Sequence, residues 1–113
     1  MSGAFSLSSI NGTSLPVLAS VTASQEFDLL SDTVSIATDG TWTEVSVYKV
    51  TQLSDNTTMT TATVISGTYT IGNQQINFVQ TGATNSLTFA GSVKGNRLTI
   101  VFGGSQFIYN RST

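Results

Sequence analysis

The chain has 113 residues, which is the size of one ordinary domain, so we expect a single domain over residues 1–113. Only 9% of the residues are charged, and the formal net charge is −2. So few cations exclude the basic surface that nucleic acids require, and they argue against attraction to anionic membranes. The absence of Cys and His excludes disulfides, thiolate metal sites and histidine-based catalysis.

The first residues and the overall polarity predict a cellular location. Met1-Ser2-Gly3 has neither a basic region nor an apolar core of a secretory signal, and no run of about 20 apolar residues could span a membrane. Abundant Ser and Thr with little charge are common in bacterial extracytoplasmic β-proteins. We therefore expect a secreted or periplasmic domain whose signal peptide is not part of this sequence.

Along the chain, β-branched and aromatic runs are interrupted by Gly and Asn turns about every 8–12 residues, as in β-sandwiches and barrels. The predicted strands are 4–10, 14–19, 33–38, 41–52, 58–71, 74–80, 86–94, 97–103 and 105–111. Gly72-Asn73 and Gly95-Asn96 are the clearest hairpin signals. Pro16 falls in the second segment, where its missing N–H suits an edge or irregular stretch.

The predicted fold is all-β, a small closed up-and-down antiparallel barrel of about eight or nine strands. Long neighbouring strands joined by tight turns favour a closed meander. Closure also removes unpaired strand edges, which here lack the usual protection by proline and charge. A β-sandwich is the alternative.

The strand 41–52 is apolar on both faces. Trp42, Tyr48 and Val50 alternate with Val45 and Val47, so each face of the strand carries apolar side chains. Such a strand indicates contact with a loop, a partner or a second layer.

The order and spacing of several motifs resemble small bacterial lipocalin-like barrel proteins, a calycin-like group that is mostly uncharacterised. The motifs are Ser-Ile-Asn-Gly-Thr-x-Leu-Pro (9–16), Asp-Gly-Thr-Trp-Thr (39–43), Ser-Gly-Thr-Tyr-Thr-Ile (66–71), Gly-Asn-Arg-Leu-Thr-Ile (95–100) and Phe-Ile-Tyr-Asn-Arg (107–111). The resemblance covers nearly the whole chain. It implies a barrel fold and an extracytoplasmic setting.

Gly40-Thr41-Trp42 is also similar to the Gly-x-Trp signature of true lipocalins. In those proteins the Trp closes the barrel base and a late Arg packs over it. By position, Arg111 would be that late Arg. The resemblance implies that Trp42 is a core or plug residue, or else a residue that stacks on a ligand.

Two groups of acidic residues suggest chemistry. Glu26 and Asp28 share strand parity, and Asp32 is nearby in the sequence. These acids form either a solvated acidic loop or a set of oxygen ligands for calcium. Glu44 has the parity of Trp42 and Tyr48. It is therefore either an ordinary surface residue or a buried carboxylate paired with Arg111 or Lys49.

We expect a non-enzymatic binding protein that holds a small apolar or amphipathic ligand inside the barrel, with no cofactor and no metal. The alternative is a ligand-free structural or protein-interaction module of a bacterial envelope or extracellular assembly, with the Thr-rich face of 57–63 or the strand 41–52 as contact surface. Oligomerisation would fit either role. The candidate ligand-binding residues are Trp42, Glu44, Tyr48, Tyr69, Phe78, Phe89, Phe102, Tyr109 and Arg111.

Overall fold

The computed structural model describes residues 2–82 and 87–112, and within these ranges every regular element is a β-strand. The strands are β1 (Gly3–Ile10), β2 (Thr13–Ser14), β3 (Val17–Val21), β4 (Gln25–Ile36), β5 (Thr41–Gln52), β6 (Thr58–Gly72), β7 (Gln75–Gln80), β8 (Thr88–Lys94), β9 (Arg97–Phe102) and β10 (Ser105–Arg111). The predicted strand 86–94 corresponds to β8, and Ser86 lies outside the described residues.

Eight of these strands close into an antiparallel barrel. From β4 to β10 each strand pairs with the next one along the chain, β10 pairs with β1, and β1 pairs with β4. The predicted all-β, up-and-down closed barrel is thus confirmed. β2 and β3 are additional short strands attached to β1 and β4.

The two additional strands lie where β1 and β4 separate. β1 and β4 pair only from Gly3↔Ile36 to Ser6↔Thr33. Beyond that point β2 pairs with the end of β1, and β3 pairs with the beginning of β4. The predicted strand 14–19 is therefore two strands separated at Pro16, because proline has no N–H for a ladder.

The predicted start of the strand 33–38 is wrong. β4 runs over Gln25–Ile36 and includes the acidic residues that we expected in a loop. Acidic side chains have low strand propensity, which hides this part of β4 in the sequence. Here two ladders, with β3 on one side and β5 on the other, hold the segment extended.

The two clearest hairpins are present at the predicted places. β6 and β7 are joined by Asn73 and Gln74, both with positive φ (53° and 66°), as a tight type I′ turn requires. Gly95 and Asn96 join β8 to β9, with Gly95 at φ 62°. Asn and Gly signals thus located both turns, although the first begins one residue later than Gly72-Asn73.

The barrel interior next to the β1–β4 pairing is filled by side chains. The largest fully buried ones are Trp42, Phe5, Phe78, Ile76, Leu98 and Val34. The Trp42 indole nitrogen donates to the Thr68 carbonyl oxygen at 2.9 Å, so the buried ring has its polar atom satisfied. This end of the barrel is a packed core without a cavity for a ligand among the described residues.

Glycines allow two close strand approaches around this core. A Cβ on Gly67 would lie 1.8 Å from the Val79 carbonyl oxygen, and a Cβ on Gly91 would lie 2.7 Å from the Thr99 carbonyl oxygen. Both distances are far shorter than van der Waals contact. The barrel therefore requires glycine at these two positions.

Part of the sheet extends beyond the closed ring. We call it the projecting sheet and define it as β3, residues 25–30 of β4, residues 47–52 of β5 and residues 58–66 of β6. β6 pairs with β7 from Gly67 onward, and the Ser66 carbonyl oxygen still accepts from the Thr81 N–H, so the described chain pairs residues 58–65 on the β5 side alone. Met59 and Val64 in this stretch are 60% and 63% exposed.

The two-sided apolar character of β5 has a simple structural basis. Val45 and Val47 lie on the outer face and pair across the strands with Val64 and Ala62 of β6. Trp42 and Val50 lie on the inner face and are buried. An apolar stripe of half-buried Val45 and Val47 and exposed Val64 therefore lies on the outside of the barrel.

Candidate functional site

The inner face holds a pocket between the packed core and the projecting sheet. Its volume is about 110 Å³. The pocket is lined by Glu44, Ile65, Leu87, Phe89, Ile100, Phe102, Phe107 and Tyr109. Two of these side chains, Leu87 and Phe102, are 42% and 43% exposed and form the mouth. The pocket is thus an apolar chamber that opens to solvent at one end.

Aromatic rings connect the pocket wall to the core. Phe89 stacks on Phe78 with ring centroids 4.9 Å apart and contacts Trp42 edge-on at 5.4 Å. Phe102 contacts Phe89 at 6.0 Å on the side of the mouth. Because Phe89 is fixed by rings behind it, the wall presents a preformed apolar surface.

A polar cluster forms the inner end of the pocket. The Tyr109 hydroxyl donates to Asp32 Oδ1 at 3.0 Å and lies 3.3 Å from Glu44 Oε2. The Ser46 hydroxyl donates to Asp32 Oδ2 at 2.6 Å. Asp32 is only 6% exposed, so Glu44 is the carboxyl of the cluster that lines the pocket.

A β-bulge brings Asp32 to this cluster. The register between β4 and β5 shifts between Leu29 and Ser31, so Asp32 pairs with Ser46 and points inward. Glu26 and Asp28 precede the bulge and lie on the outer face, where Asp28 is opposite Lys49. Closeness in the sequence therefore grouped Asp32 with acids that lie on the other face of the strand.

Burial changes the protonation of the cluster. Removal of the Glu44 carboxyl from water raises its pKa to about 8, and the hydrogen bond and charge of Asp32 act in the same direction. The Tyr109 hydrogen bond opposes this rise. The pKa of Tyr109 is also raised, first by burial and then by the two carboxyl groups. At pH 7 the Glu44 carboxyl is therefore mostly protonated.

None of the Lys and Arg side chains in the described chain is placed to neutralise this cluster. Arg111 lies over the Phe5 ring, 4.8 Å from its centroid, and donates to the Ser2 carbonyl oxygen at 2.6 Å. Lys49 is on the outer face, and Lys94 and Arg97 face each other beside the β8–β9 turn. The pairing of Glu44 with Arg111 or Lys49 that we considered is thus replaced by contacts with Asp32 and Tyr109.

The structure brings together four of the nine candidate residues. Glu44, Phe89, Phe102 and Tyr109 line the pocket. Trp42 and Phe78 belong to the packed core behind it, as one of the two interpretations of Trp42 expected.

The other three candidates lie outside the pocket lining. Tyr48 is partly buried against the core, and the Tyr69 hydroxyl donates to the Ala37 carbonyl oxygen. Arg111 packs over Phe5, whereas the true lipocalin signature would place it over Trp42.

Sequence reasoning missed Asp32, Ser46, Ile65, Leu87, Ile100 and Phe107 as parts of the site. One signal was available for Asp32, because it shares parity with Val34 and Ile36 and so interrupts an apolar face with an acid. Ser46 likewise continues the parity of Trp42 and Glu44. Polar residues on an otherwise apolar strand face were thus the sequence signal of the buried cluster.

The outer acids do not form a metal site. The Glu26 and Asp28 side chains lie close enough that their hydrogen bond and mutual repulsion raise the pKa of Glu26. No group of three or more metal-ligating side chains occurs in residues 2–82 and 87–112. Because the bulge turns Asp32 inward, Asp32 does not face the other two acids considered for calcium, Glu26 and Asp28.

Neither protein-family models, nor curated proteins, nor solved structures give a match to this chain. In residues 2–82 and 87–112 no helix is long and apolar enough to cross a membrane.

Proposed function

We propose that this protein is a non-enzymatic, extracytoplasmic binding protein that holds one small amphipathic molecule in the pocket. The observation that carries the proposal is an apolar, aromatic pocket inside the barrel whose lining includes one carboxyl group, that of Glu44. Small-molecule sites typically combine an apolar lining with a few placed polar groups.

The size of the chamber limits the ligand. A dry cavity of about 150 Å³ in another protein accommodates a benzene molecule. The present pocket, at about 110 Å³ and open at its mouth, fits one ring or a short alkyl chain inside. A longer molecule would extend past Leu87 and Phe102 into solvent.

Titration with 1-hexanol, followed by amide shifts in a ¹H–¹⁵N NMR spectrum, tests the proposal with a probe of this size. We expect saturable shifts confined to the residues that line the pocket and their neighbours in β5, β6, β8, β9 and β10. Ile65→Trp fills the pocket and should abolish them. Val64→Trp adds the same ring to the outer face of β6 and is the matched control. Absence of saturable shifts, or unchanged binding by Ile65→Trp, would overturn the proposal.

A native mass spectrum of the purified protein, compared with the same sample after denaturation, extends the test to the natural ligand. An extra mass that is lost on denaturation would identify the cargo class. A protein that is purified without extra mass and also fails to bind hexanol would refute a carrier role.

One observation favours the second candidate, an interaction module. In the described chain, residues 58–65 of β6 pair only with β5, and no charged residue occurs from 56 to 93. A strand edge without charge or proline is a template for pairing with another strand. This edge coincides with the Thr-rich segment that the sequence indicated as a contact surface.

For this candidate function we propose a second copy of the chain as the occupant of the edge. Antiparallel self-pairing centred on Ala62 places Thr61 opposite Thr63 and Met59 opposite Ile65, with no like charges in contact. It also joins the outer apolar stripes of the two copies. Such symmetric pairing of one surface with itself is the usual form of a homodimer.

Sedimentation velocity over a range of concentrations tests this pairing. Ala62→Lys places two like charges opposite each other and should give monomers, whereas the wild type dimerises. Thr70→Lys lies on the same strand where β7 covers the edge, and should leave dimerisation unchanged. A wild-type protein that stays monomeric at millimolar concentration would refute the interaction module.

A further inference from the structure

We infer that the ligand of the pocket carries a protonated amine, which binds at the Glu44 carboxylate while the apolar part of the molecule contacts the aromatic wall. This inference rests on the proposed function and names the chemical class of the ligand. It comes from the composition of the inner end of the pocket, where two carboxyl groups meet and no Lys or Arg of the described chain approaches them.

The geometry makes Glu44 the recognition group and Asp32 its support. Asp32 is held behind Glu44 by the hydroxyl groups of Ser46 and Tyr109, and both of its carboxylate oxygens accept a hydrogen bond. Glu44 lines the pocket, where its carboxylate can accept hydrogen bonds from a ligand. Two acids in one partly buried site attract a cation more strongly than one acid would.

The same arrangement disfavours the other classes of polar group. A ligand carboxylate would meet two acids with no cation between them, so it would be repelled. A neutral hydroxyl group can form a hydrogen bond with Glu44, but it gains nothing from the charge of the pair. Charge-assisted hydrogen bonds are shorter and stronger than neutral ones, so an ammonium group should be preferred.

Proton balance gives a second signature. The titratable groups that face Glu44 are Asp32 from β4 and Tyr109 from β10, whereas its partners on the adjacent strands are the apolar Val34 and Ile65. Because burial raises the Glu44 pKa to about 8, its carboxyl is mostly protonated at pH 7. An entering ammonium group displaces that proton to solvent, and the amine affinity rises as the pH increases from about 6 to 9.

Calorimetric titration with hexylamine, 1-hexanol and hexanoate at pH 8 tests the inference, because the three probes share one alkyl chain and differ in charge. We expect hexylamine to bind about tenfold more tightly than hexanol, and hexanoate to bind most weakly. At pH 7, hexylamine titrations in buffers of different ionisation enthalpy should show release of about one proton per ligand, and hexanol none.

Two variants assign the preference to Glu44. Glu44→Gln should retain hexanol binding and lose the preference for the amine and the proton release. Glu26→Gln removes an acid from the outer face and should bind all three probes as the wild type does.

The outcomes separate the two proposals. If hexanol binds and hexylamine binds no better, the amine inference is wrong while the binding function stands. The same holds if Glu44→Gln keeps the preference. If none of the three probes binds, both proposals are refuted.

Discussion

The closed ring and the projecting sheet are built from the same long strands, yet they differ in almost every physical respect. In the ring, both edges of each strand are paired, and Phe5 and Leu98 are fully buried. In the projecting sheet, no described residue pairs with the edge of β6 that faces away from β5 over residues 58–65, and Met59 is 60% exposed. The ring therefore supplies the stability, and the projecting sheet contributes surface.

The pocket lies at the boundary of the two regions. The packed core fixes its aromatic wall from behind, while the divergence of the strands leaves its mouth open. The acidic cluster lies at the same boundary. It is next to the bulge in β4, where residues 25–30 in the projecting sheet meet residues 31–36 in the closed ring. A barrel that was filled along its whole length would have no such site.

The largest expected contrast is between Trp42 and Met59, which lie on neighbouring strands. Trp42→Ala removes a fully buried ring from the core and should lower the free energy of unfolding by ~3–5 kcal/mol. Met59→Ala in the projecting sheet should lower it by less than ~0.5 kcal/mol. Urea denaturation of both variants measures the difference, and similar costs would mean that the ring is not the stable part.

Two glycines of β6 give a second contrast. Gly67→Ala places a methyl group against the Val79 carbonyl and should cost ~1–3 kcal/mol of unfolding free energy. A Cβ added at Gly72 would meet open space. The unfolding free energy of Gly72→Ala should therefore stay within about 1 kcal/mol of the wild-type value. Thermal unfolding of the pair checks this, and a neutral Gly67→Ala would show that β6 and β7 do not approach as closely as described.

Stability should depend on pH through Glu44. Its pKa is raised from 4.5 in the unfolded chain to about 8 in the folded protein, so the folded state binds the extra proton between these values. Stability is therefore greatest below pH 4.5 for this group and decreases as the pH rises to 8. We expect a loss of roughly 3–4 kcal/mol between about pH 5 and 8.

Glu44→Gln should flatten this pH profile, as followed by urea midpoints. Asp39→Asn is the matched control, because hydrogen bonds from Thr41 lower the pKa of Asp39 and its titration is complete below this pH range. A steep profile that persists in Glu44→Gln would assign the effect to another group.

The smallest contrast is between neighbours on β6. Ile65 packs against the core and lines the pocket, while Val64 is 63% exposed on the outer face. Ile65→Thr should cost roughly 1–2 kcal/mol of stability, and Val64→Thr less than about 0.5 kcal/mol. Equal costs would mean that something covers the outer stripe in the folded monomer.

The sequence predicted the barrel because its strongest signals are local. Alternating apolar residues in β9 and the two Gly-Asn turn signals act over a few residues, so β5 to β10 were located within a few positions. Residues 25–32 of β4 were missed because Glu26 and Asp28 have low strand propensity. Only pairing with β3 and β5 holds these two residues extended.

The site was only partly predictable for a related reason. Glu44, Phe89, Phe102 and Tyr109 follow from simple alternation. Asp32 depends on a one-residue bulge at Leu30, which reverses the face of every later residue and has no clear sequence signature. Hence the buried part of the cluster, Asp32 and Ser46, was the part of the site that the sequence analysis missed.

The central claim is that a small amphipathic molecule binds between the aromatic wall and Glu44. Intermolecular nuclear Overhauser effects between hexylamine and ¹³C-labelled protein test it most directly. We predict contacts from the alkyl chain to Phe89, Phe102 and Phe107, with the nitrogen-bearing carbon closest to Glu44. Contacts only to the outer valines, Val45 and Val64, or no contacts at all, would contradict the account.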